Sequence, residues 1–198
     1  KETSHYDPRN PYSASKAAAD HLAYAYYHTH RIPLLISHCS NNYGPYQFPE
    51  KLIPLIISKI LNQQNLPVYG QGLQIRDWIY VEDHCSAIWI IATTGMIGET
   101  YNVGGGTELA NIELVTILCE RMSKKLKHKD KDYFKNLITF VTDRPGHDFR
   151  YAINCLKLKK DLQWKKQYSF ARGITETINW YIHNQDWIAS IQATGEKK

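Results

Sequence analysis

The alternation of short apolar runs with segments of helical periodicity is the feature that most constrains the fold. Apolar runs typical of buried strands cover residues 32–39, 66–69, 74–81, 99–103 and 137–142. Helical patterns cover residues 12–30, 50–62, 82–94, 156–162 and 170–187, and Asn111 is placed to cap a further helix that runs to about residue 125. Strands that alternate with helices predict an α/β protein that contains parallel sheet.

The glycines set a limit on that fold. A doubly wound dinucleotide-binding fold begins with a strand, a glycine-rich turn and a helix, and the pyrophosphate lies at the helix N-terminus. None of the 11 glycines belongs to a GxGxxG or GxxGxxG pattern. The triple glycine at residues 104–106 predicts a tight strand end, and residues 41–49 (NNYGPYQFP) predict a loop. We therefore expect no dinucleotide pyrophosphate turn within these residues.

Composition excludes two classes of protein. The chain has 198 residues, of which 43% are hydrophobic and 22% charged, as in globular domains. Its net charge is +5, but the one dense cationic run, residues 124–135, predicts a solvated loop or helix end and not a nucleic-acid-binding stripe. No apolar run approaches the ~18 residues of a membrane span, and we expect neither a membrane span nor a signal peptide among these residues.

The four cysteines, at positions 39, 85, 119 and 155, have no CxxC spacing. This pattern indicates neither a metal site nor a redox motif, and it predicts buried free thiols in a reducing cytoplasm. The first residue is Lys1 and not Met. We therefore expect the chain to begin at an internal point of a longer sequence.

Tyr12 and Lys16 form a YxxxK motif at the start of the first predicted helix. Residues four apart share a helix face, and an ammonium group beside a phenol stabilises the phenolate, so this pair can act as a base. The alternative is an ordinary exposed helix start. Asn41 and Asn42 follow a predicted parallel strand, where open α/β sheets bind ligands, although the segment is also compatible with a plain turn.

Two arginines lie in short polar segments beside apolar runs. Arg76 belongs to Arg76-Asp77-Trp78, and Arg144 belongs to the segment DRPGHD at residues 143–148. The guanidinium fork suits a diphosphate. The alternative is an Arg–Asp ion pair that holds a loop, and the two roles are compatible because an ion pair can orient an arginine.

In order, the chain reads NPYSASKAAADHL, SNNYGPYQFPEKLIPL, LPVYGQGLQIRDWIYVEDH, GETYNVGG and DRPGHDFRYAIN. These segments resemble the extended short-chain dehydrogenase/reductase family and, within it, the dTDP-glucose 4,6-dehydratases. The resemblance runs from residue 1 to about 187. It implies that residues 1–49 belong to a Rossmann-type dinucleotide-binding domain and residues 50–198 mainly to a smaller α/β nucleotide-sugar-binding region. Residues 74–104 would return to the Rossmann sheet.

The resemblance also implies roles for single residues. Tyr12 matches the base that takes the proton of the sugar 4-hydroxyl, and Lys16 matches the lysine that holds the nicotinamide ribose of NAD. Asn42 matches a position near the cofactor. Positions that match contacts to a dTDP-sugar substrate are Asn41, Lys51, Leu52, Pro67, Tyr69, Arg76, Asn111, Asp143, Arg144, Pro145, Gly146 and His147, with Arg144 the first choice for the phosphate charge.

The implied reaction is the dehydration of dTDP-glucose to dTDP-4-keto-6-deoxyglucose by NAD-dependent oxidation at C4, water elimination across C5–C6 and re-reduction. Relatives perform the elimination with a Glu and an Asp that lie well before the catalytic Tyr, whereas Glu2 and Asp7 lie too close to Tyr12 to match them. We therefore expect the isolated chain to be inactive. The alternatives are a dTDP-sugar-binding fragment without turnover, a related UDP-sugar decarboxylase or epimerase, and a folded piece without ligand.

The resemblance implies, finally, a homodimer. In the family, the helix that carries YxxxK packs against its copy in a second subunit, so residues 12–30 are the expected contact. An unpaired edge on the strand predicted at residues 32–39 would favour association as well. The residues available on the helix are Ala17, Ala18, His21, Leu22, Ala25 and Tyr26.

Overall fold

A computed structural model describes residues 1–195. Its helices are α1 (Pro11–His30), α2 (Leu52–Leu61), α3 (Val81–Thr94), α4 (Asn111–Lys125), α5 (Leu156–Leu162), α6 (Phe170–His183) and α7 (Gln185–Gly195), with a short helical turn at Lys135–Leu137. Its strands are β1 (Ile36–Cys39), β2 (Asn41–Tyr43), β3 (Leu66–Tyr69), β4 (Ile75–Tyr80), β5 (Thr100–Val103), β6 (Glu108–Ala110), β7 (Ile138–Val141) and β8 (Arg150–Tyr151). The predicted α/β class is confirmed.

Strand β4 lies at the centre of the largest sheet. It pairs in parallel with β2 and with β8, and antiparallel with β6. Strands β1 and β5 form a parallel pair, and so do β3 and β7. Because β1 leads into β2 through Ser40 alone, the β1–β5 pair continues directly into the β4 sheet. The Ser40 N–H donates to the Val103 carbonyl at 3.0 Å and extends the β1–β5 ladder.

Two hydrophobic clusters form the core. The larger one is built by α2, α4, α6, β3 and β4, and the smaller one by α3, α5 and β5. Helix α2 shows why these segments fold as helices, since Ile53, Ile56, Ile57 and Ile60 follow one another at helical spacing and are all buried. The triple glycine ends β5, as predicted. A Cβ atom at Gly105 would lie 1.8 Å from the Trp78 carbonyl oxygen, so only glycine fits where β5 leaves the sheet over β4.

Helix α1 packs differently from the others. Pro11 occupies its first turn, the Asn10 side chain accepts the Ser13 N–H at 2.8 Å, and Ala17 is its one buried residue. Leu22 is 62% and Tyr26 54% exposed. No helix within residues 1–195 is long and apolar enough to cross a membrane.

Polar contacts join α1 to its surroundings. The Asp20 carboxylate accepts the Tyr6 hydroxyl at 3.0 Å and lies 2.8 Å from His38 Nε2 on β1. Tyr24 hydrogen-bonds to Thr100 on β5. This helix is therefore attached to the β1–β5 pair by hydrogen bonds more than by apolar burial.

Some boundaries differ from the sequence prediction. Residues 41–43 are not loop but form β2, because their main chain pairs with β4. The strand predicted at 32–39 begins only at Ile36, after Pro33, which has no N–H to donate. The helix predicted at 170–187 is interrupted at Asn184 (φ −122°, ψ 43°), whose side chain donates to the Trp180 carbonyl at 2.8 Å. The short strands β6 and β8 were not predicted.

Two side-chain predictions are corrected as well. Asn111 does not cap α4 but is its first residue, and the Glu113 carboxylate accepts the preceding Ala110 N–H at 2.7 Å. The four cysteines are free, as expected, yet only Cys119 and Cys155 are buried, whereas Cys85 is exposed on α3. Burial raises the pKa of the Cys119 thiol to about 11.

Candidate functional site

Tyr12 and Lys16 stand one turn apart at the start of α1, as the YxxxK spacing predicts. The Tyr12 side chain is 74% exposed, and Lys16 is exposed as well. Neither side chain makes a hydrogen bond or ion pair with another described residue. The pair is therefore free to meet a ligand.

The Asn41–Asn42 pair lies on β2, opposite Trp78 and Ile79 of β4. The Asn42 amide donates to Cys39 Sγ at 3.4 Å and to the Ser40 carbonyl at 3.3 Å. Its Oδ1 is buried and has no donor within residues 1–195. Because a buried amide oxygen without a partner is unfavourable, this atom has the capacity to accept a hydrogen bond from a bound group.

Arg76 projects from β4 beside the segment 143–148. Its guanidinium donates hydrogen bonds to the carbonyl of the preceding residue, Ile75, at 2.7 Å and to the Asp148 carbonyl at 2.8 Å. Burial is the main cause that lowers the pKa of Arg76, and the positive charge of Arg144 lowers it further, while Asp148 opposes the shift. Arg76 and Arg144 thus lie close enough for their charges to interact.

Asp143 organises the segment that carries Arg144. Its Oδ1 accepts the Arg144 N–H at 2.8 Å and lies 2.8 Å from His147 Nδ1, while its Oδ2 accepts the Gln74 side-chain N–H at 2.5 Å. The His147 hydrogen bond is the main cause that lowers the pKa of Asp143. The sequence left open an Arg–Asp ion pair that holds this loop. Asp143 instead hydrogen-bonds to the His147 and Gln74 side chains and to the Arg144 main chain.

The same segment approaches the start of α1. A Cβ atom at Gly146, whose φ is +67°, would lie 3.9 Å from the Asn10 Cβ, and Asn10 caps the helix that carries Tyr12. Arg144 and Pro145 are exposed. The segment 143–148 therefore spans from Arg76 to the N-terminus of α1.

Tyr151 makes a second connection across the site. Its hydroxyl donates to the Cys39 carbonyl at 3.3 Å, and its strand β8 pairs with β4 at Arg76. The pKa of Tyr151 is raised chiefly by burial and then by Cys39 and Tyr12, which places the Tyr12 phenol nearby. Sequence reasoning missed Tyr151, although it belongs to the quoted DRPGHDFRYAIN segment.

The remaining predicted residues join the network around Arg76 and Asp143 through the main chain or not at all. The Asn111 N–H donates to the carbonyl of Gln74 at 3.0 Å, and Gln74 lies two residues before Arg76 in the sequence. Tyr69 is half exposed and pairs with Val141, two residues before Asp143, and Pro67 lies on the same strand. No described hydrogen bond joins the two residues at the start of α2, Lys51 and Leu52, to Arg76; Lys51 instead contacts Glu50 at 3.4 Å.

Gln74 is the other residue that the sequence reasoning missed. It is 9% exposed, and its side chain and main chain contact two separate predicted segments. A signal was present, since residues two apart on a strand face the same side and Gln74 precedes Arg76 by two. Its partner Asp143 is distant in sequence, so the contact itself could not be inferred.

A parallel α/β sheet with YxxxK on the helix before β1, and paired asparagines on β2 directly after β1, defines an extended short-chain dehydrogenase/reductase. Comparison with known proteins agrees. The family model described as GDP-mannose 4,6 dehydratase matches residues 1–177, and the chain belongs to this family. The dTDP-glucose 4,6-dehydratase of Xanthomonas campestris is 52% identical over 190 residues, which cover 96% of this chain and 54% of that protein. An Escherichia coli dTDP-glucose 4,6-dehydratase is 50% identical over 97% of this chain and 53% of its own length.

Solved structures give the same result. A Bacillus anthracis dTDP-glucose 4,6-dehydratase in complex with NAD has a TM-score of 0.85 and 46% identity, covering 96% of this chain and 58% of that one. The Streptomyces venezuelae dTDP-glucose 4,6-dehydratase, also with NAD bound, has a TM-score of 0.88 and 40% identity over 96% and 56%. The resemblance inferred from the sequence is confirmed. The chain spans about half the length of the curated relatives it matches.

Proposed function

We propose that the protein converts dTDP-glucose to dTDP-4-keto-6-deoxyglucose with NAD, and that this chain supplies the redox pair and the phosphate-binding part of the substrate site. The observation that carries this proposal is that Arg76 donates a hydrogen bond to the Asp148 carbonyl of the segment that carries Arg144, and that Gly146 of the same segment approaches Asn10 at the start of the Tyr12 helix. The charge of Arg144 also acts on Arg76. Two neighbouring cations repel each other unless an anion lies between them, and a diphosphate supplies that charge.

The roles of the residues follow from their chemistry. Tyr12 accepts the proton of the sugar 4-hydroxyl, and Lys16, one turn later on the same face, stabilises its phenolate. Arg76 and Arg144 hold the diphosphate, so the sugar extends from them toward α1. Asn41, Asn111, Lys51, Leu52, Pro67 and Tyr69 complete the substrate site, together with the segment 143–147.

The residues of this chain also fit part of an NAD site. Lys16 and Tyr12 are exposed on one helix face, and the buried Asn42 Oδ1 lacks a donor within the described residues. Lys16 would hold the ribose hydroxyls, and Asn42 would orient the group beside Tyr12. NAD bound there would supply the hydride acceptor for C4 of the sugar and the hydride donor for C6, which explains a redox cofactor in a net dehydration.

Calorimetry with dTDP, UDP, GDP and NAD tests the proposal on the purified chain. We expect dTDP to bind more tightly than UDP or GDP, and NAD to bind weakly, because the sequence carries no glycine-rich pyrophosphate turn. Replacing Arg144→Gln should weaken dTDP binding by about 10-fold or more, since it removes a charge-assisted hydrogen bond.

The control is Arg31→Gln, which removes an equal charge at the far end of α1. If UDP binds better than dTDP, the UDP-sugar alternative holds instead. If the Arg144 and Arg31 variants bind dTDP equally, the assignment of the phosphate site is wrong.

The homodimer and the cytoplasmic location belong to the same proposal. Helix α1 exposes Ala18, Leu22 and Tyr26, and such an apolar face is stabilised by packing on a second copy. The unpaired state of the four cysteines agrees with a reducing compartment.

Light scattering tests the dimer. Leu22→Glu should shift the protein toward the 23.0 kDa monomer, whereas Ser37→Lys, at an exposed position on β1, should leave the assembly intact. A wild-type chain that is already monomeric at micromolar concentration refutes this contact.

A further inference from the structure

We propose that Gln74 is a positioning residue for nucleotide-diphosphate binding, which acts by fixing Asp143 and thereby the place of Arg144. This inference rests on the proposed function and extends it to a residue outside the phosphate contacts. Gln74 lies immediately before β4, two residues from Arg76. It therefore connects the strand that carries Arg76 with Asp143, the neighbour of Arg144.

Gln74 holds two segments at once. Its side-chain amide donates to Asp143 Oδ2 at 2.5 Å, and its main-chain carbonyl accepts the Asn111 N–H at 3.0 Å. The next residue, Ile75, donates its N–H to the Phe149 carbonyl at 2.8 Å. Residues 74–75 thus contact three predicted parts of the site. These parts are Asn111, the start of the segment 143–148, and Phe149 directly after its end.

The contacts of Asp143 explain why its position matters. Both of its carboxylate oxygens are occupied within the protein, by Gln74 on one side and by the Arg144 N–H and His147 on the other. The His147 side chain is 7% exposed, so it too faces inward. We therefore assign Asp143 and His147 to holding the segment, which leaves Arg144 as its phosphate ligand.

The hydrogen bonds of Asp143 act against the electrostatic repulsion between Arg76 and Arg144. Arg76 is held by its hydrogen bonds to the Ile75 and Asp148 carbonyls, whereas the Arg144 side chain is exposed and makes no side-chain hydrogen bond with another described residue. Without a ligand the two guanidinium groups repel each other. The charges around them are Asp148, Asp143 and His147. Fixing Asp143 keeps Arg144 near Arg76, so less conformational freedom is lost when a diphosphate binds.

A double-mutant cycle separates this role from a general effect on folding. The variants are Gln74→Leu, Arg144→Gln and the two combined, with dTDP affinity measured by calorimetry. Gln74→Leu should weaken binding about 10-fold through loss of a hydrogen bond to a charged acceptor. The combined variant should bind as weakly as Arg144→Gln alone, because Gln74 acts through Arg144.

The matched control is Ser123→Ala, which removes another buried hydrogen bond, to the Lys131 carbonyl at 3.2 Å, twelve residues along α4 from Asn111. It should leave dTDP affinity unchanged while it lowers the melting temperature comparably. Additive losses in the cycle, or an equal loss in the Ser123 variant, would overturn the proposal.

A pH profile gives a second readout. Gln74→Glu places two carboxylates against each other, so its affinity for dTDP-glucose should be low at pH 7.5 and recover toward pH 5, where the pair shares a proton. The wild type, measured with the same ligand, should change far less. A Gln74→Glu profile that parallels the wild type contradicts the proposal. If the wild type binds neither dTDP nor dTDP-glucose, the proposed function itself fails, which is a different outcome from a Gln74 variant that binds normally.

Discussion

The two ends of the candidate site are built in opposite ways. At the helix end, Tyr12 and Lys16 project from α1 without a side-chain partner among the described residues, on a helix that buries only Ala17. At the loop end, residues 74–76 and 143–148 form a continuous hydrogen-bond network beside α4, whose apolar face is fully buried. The loop end is thus preorganised by this chain alone, and the helix end is held by the secondary structure that carries it.

This difference separates binding from chemistry. A phosphate site needs fixed donors, because each donor that must be ordered on binding weakens affinity. A proton-transferring pair needs access to the ligand first, and an exposed helix face supplies it. We therefore expect substitutions at the loop end to change stability and affinity, and substitutions at the helix end to change neither strongly.

The largest expected contrast is in stability. Leu114→Ala, in the buried face of α4, should lower the free energy of unfolding by about 2–5 kcal/mol, because it leaves a cavity in the larger core. At concentrations at which the protein is monomeric, Leu22→Ala on α1 should change it by less than about 0.5 kcal/mol, since that side chain is exposed in the single chain. Urea denaturation of both variants measures the difference. Equal effects would show that α1 is buried in solution.

The next contrast concerns the main chain at the crossing of β5 and β4. Gly105→Ala should cost about 1–3 kcal/mol or more, because its Cβ would meet the Trp78 carbonyl at 1.8 Å and neither backbone can move freely. Gly106→Ala, with open space around it but φ of +64°, should cost about 1 kcal/mol. Thermal unfolding of the two variants tests this order, and a reversed order would refute the close approach.

A smaller effect is expected in acid. The hydrogen bond from His147, followed by that from the Arg144 N–H, lowers the pKa of Asp143 in the folded state. The contribution of Asp143 to folding stability is therefore complete above its unfolded pKa of about 3.9. It is lost as the pH falls through the lower pKa of the folded state. The protection factors of the amides in residues 143–148, corrected for the intrinsic pH dependence of exchange, should fall below about pH 4 while those of α1 are retained. Asp143→Asn should remove this pH dependence; if it persists, another group is responsible.

The smallest expected effect is at the helix end. Tyr12→Phe and Lys16→Met should change dTDP affinity by less than about 2-fold, because neither side chain makes a hydrogen bond or ion pair with the described residues around Arg76. Calorimetry alongside Arg144→Gln measures this. A large loss of dTDP affinity in either variant would mean that the two ends are coupled in binding, contrary to the comparison above.

The sequence predicted the parts of the site better than their connections. Arg76 and Arg144 were selected because the guanidinium fork suits a diphosphate, with an Arg–Asp ion pair as the alternative, and the structure joins Arg76 to the segment of Arg144 through the Asp148 carbonyl. Their role as phosphate ligands stays a prediction. Gln74 was overlooked because its partner Asp143 is remote in the chain, and no periodic pattern encodes such a pair. The early end of α6 was missed for a related reason, since the Asn184 side chain competes with the helix for the Trp180 carbonyl. The predicted domain division at residue 49 stays a prediction.

The order of strand pairing has a consequence for how the chain acquires its structure. Strand β1 pairs with β5, so Ile36 meets Thr100, and β4 pairs with β8, so Arg76 meets Tyr151. Both pairings close long loops, and such non-local contacts slow folding. During synthesis, Gln74 and Arg76 leave the ribosome well before Asp143 and Arg144 exist. The contact of Arg76 with the segment 143–148 can therefore form only after residue 148 has been made, which places the maturation of the proposed phosphate site late in the folding of the protein.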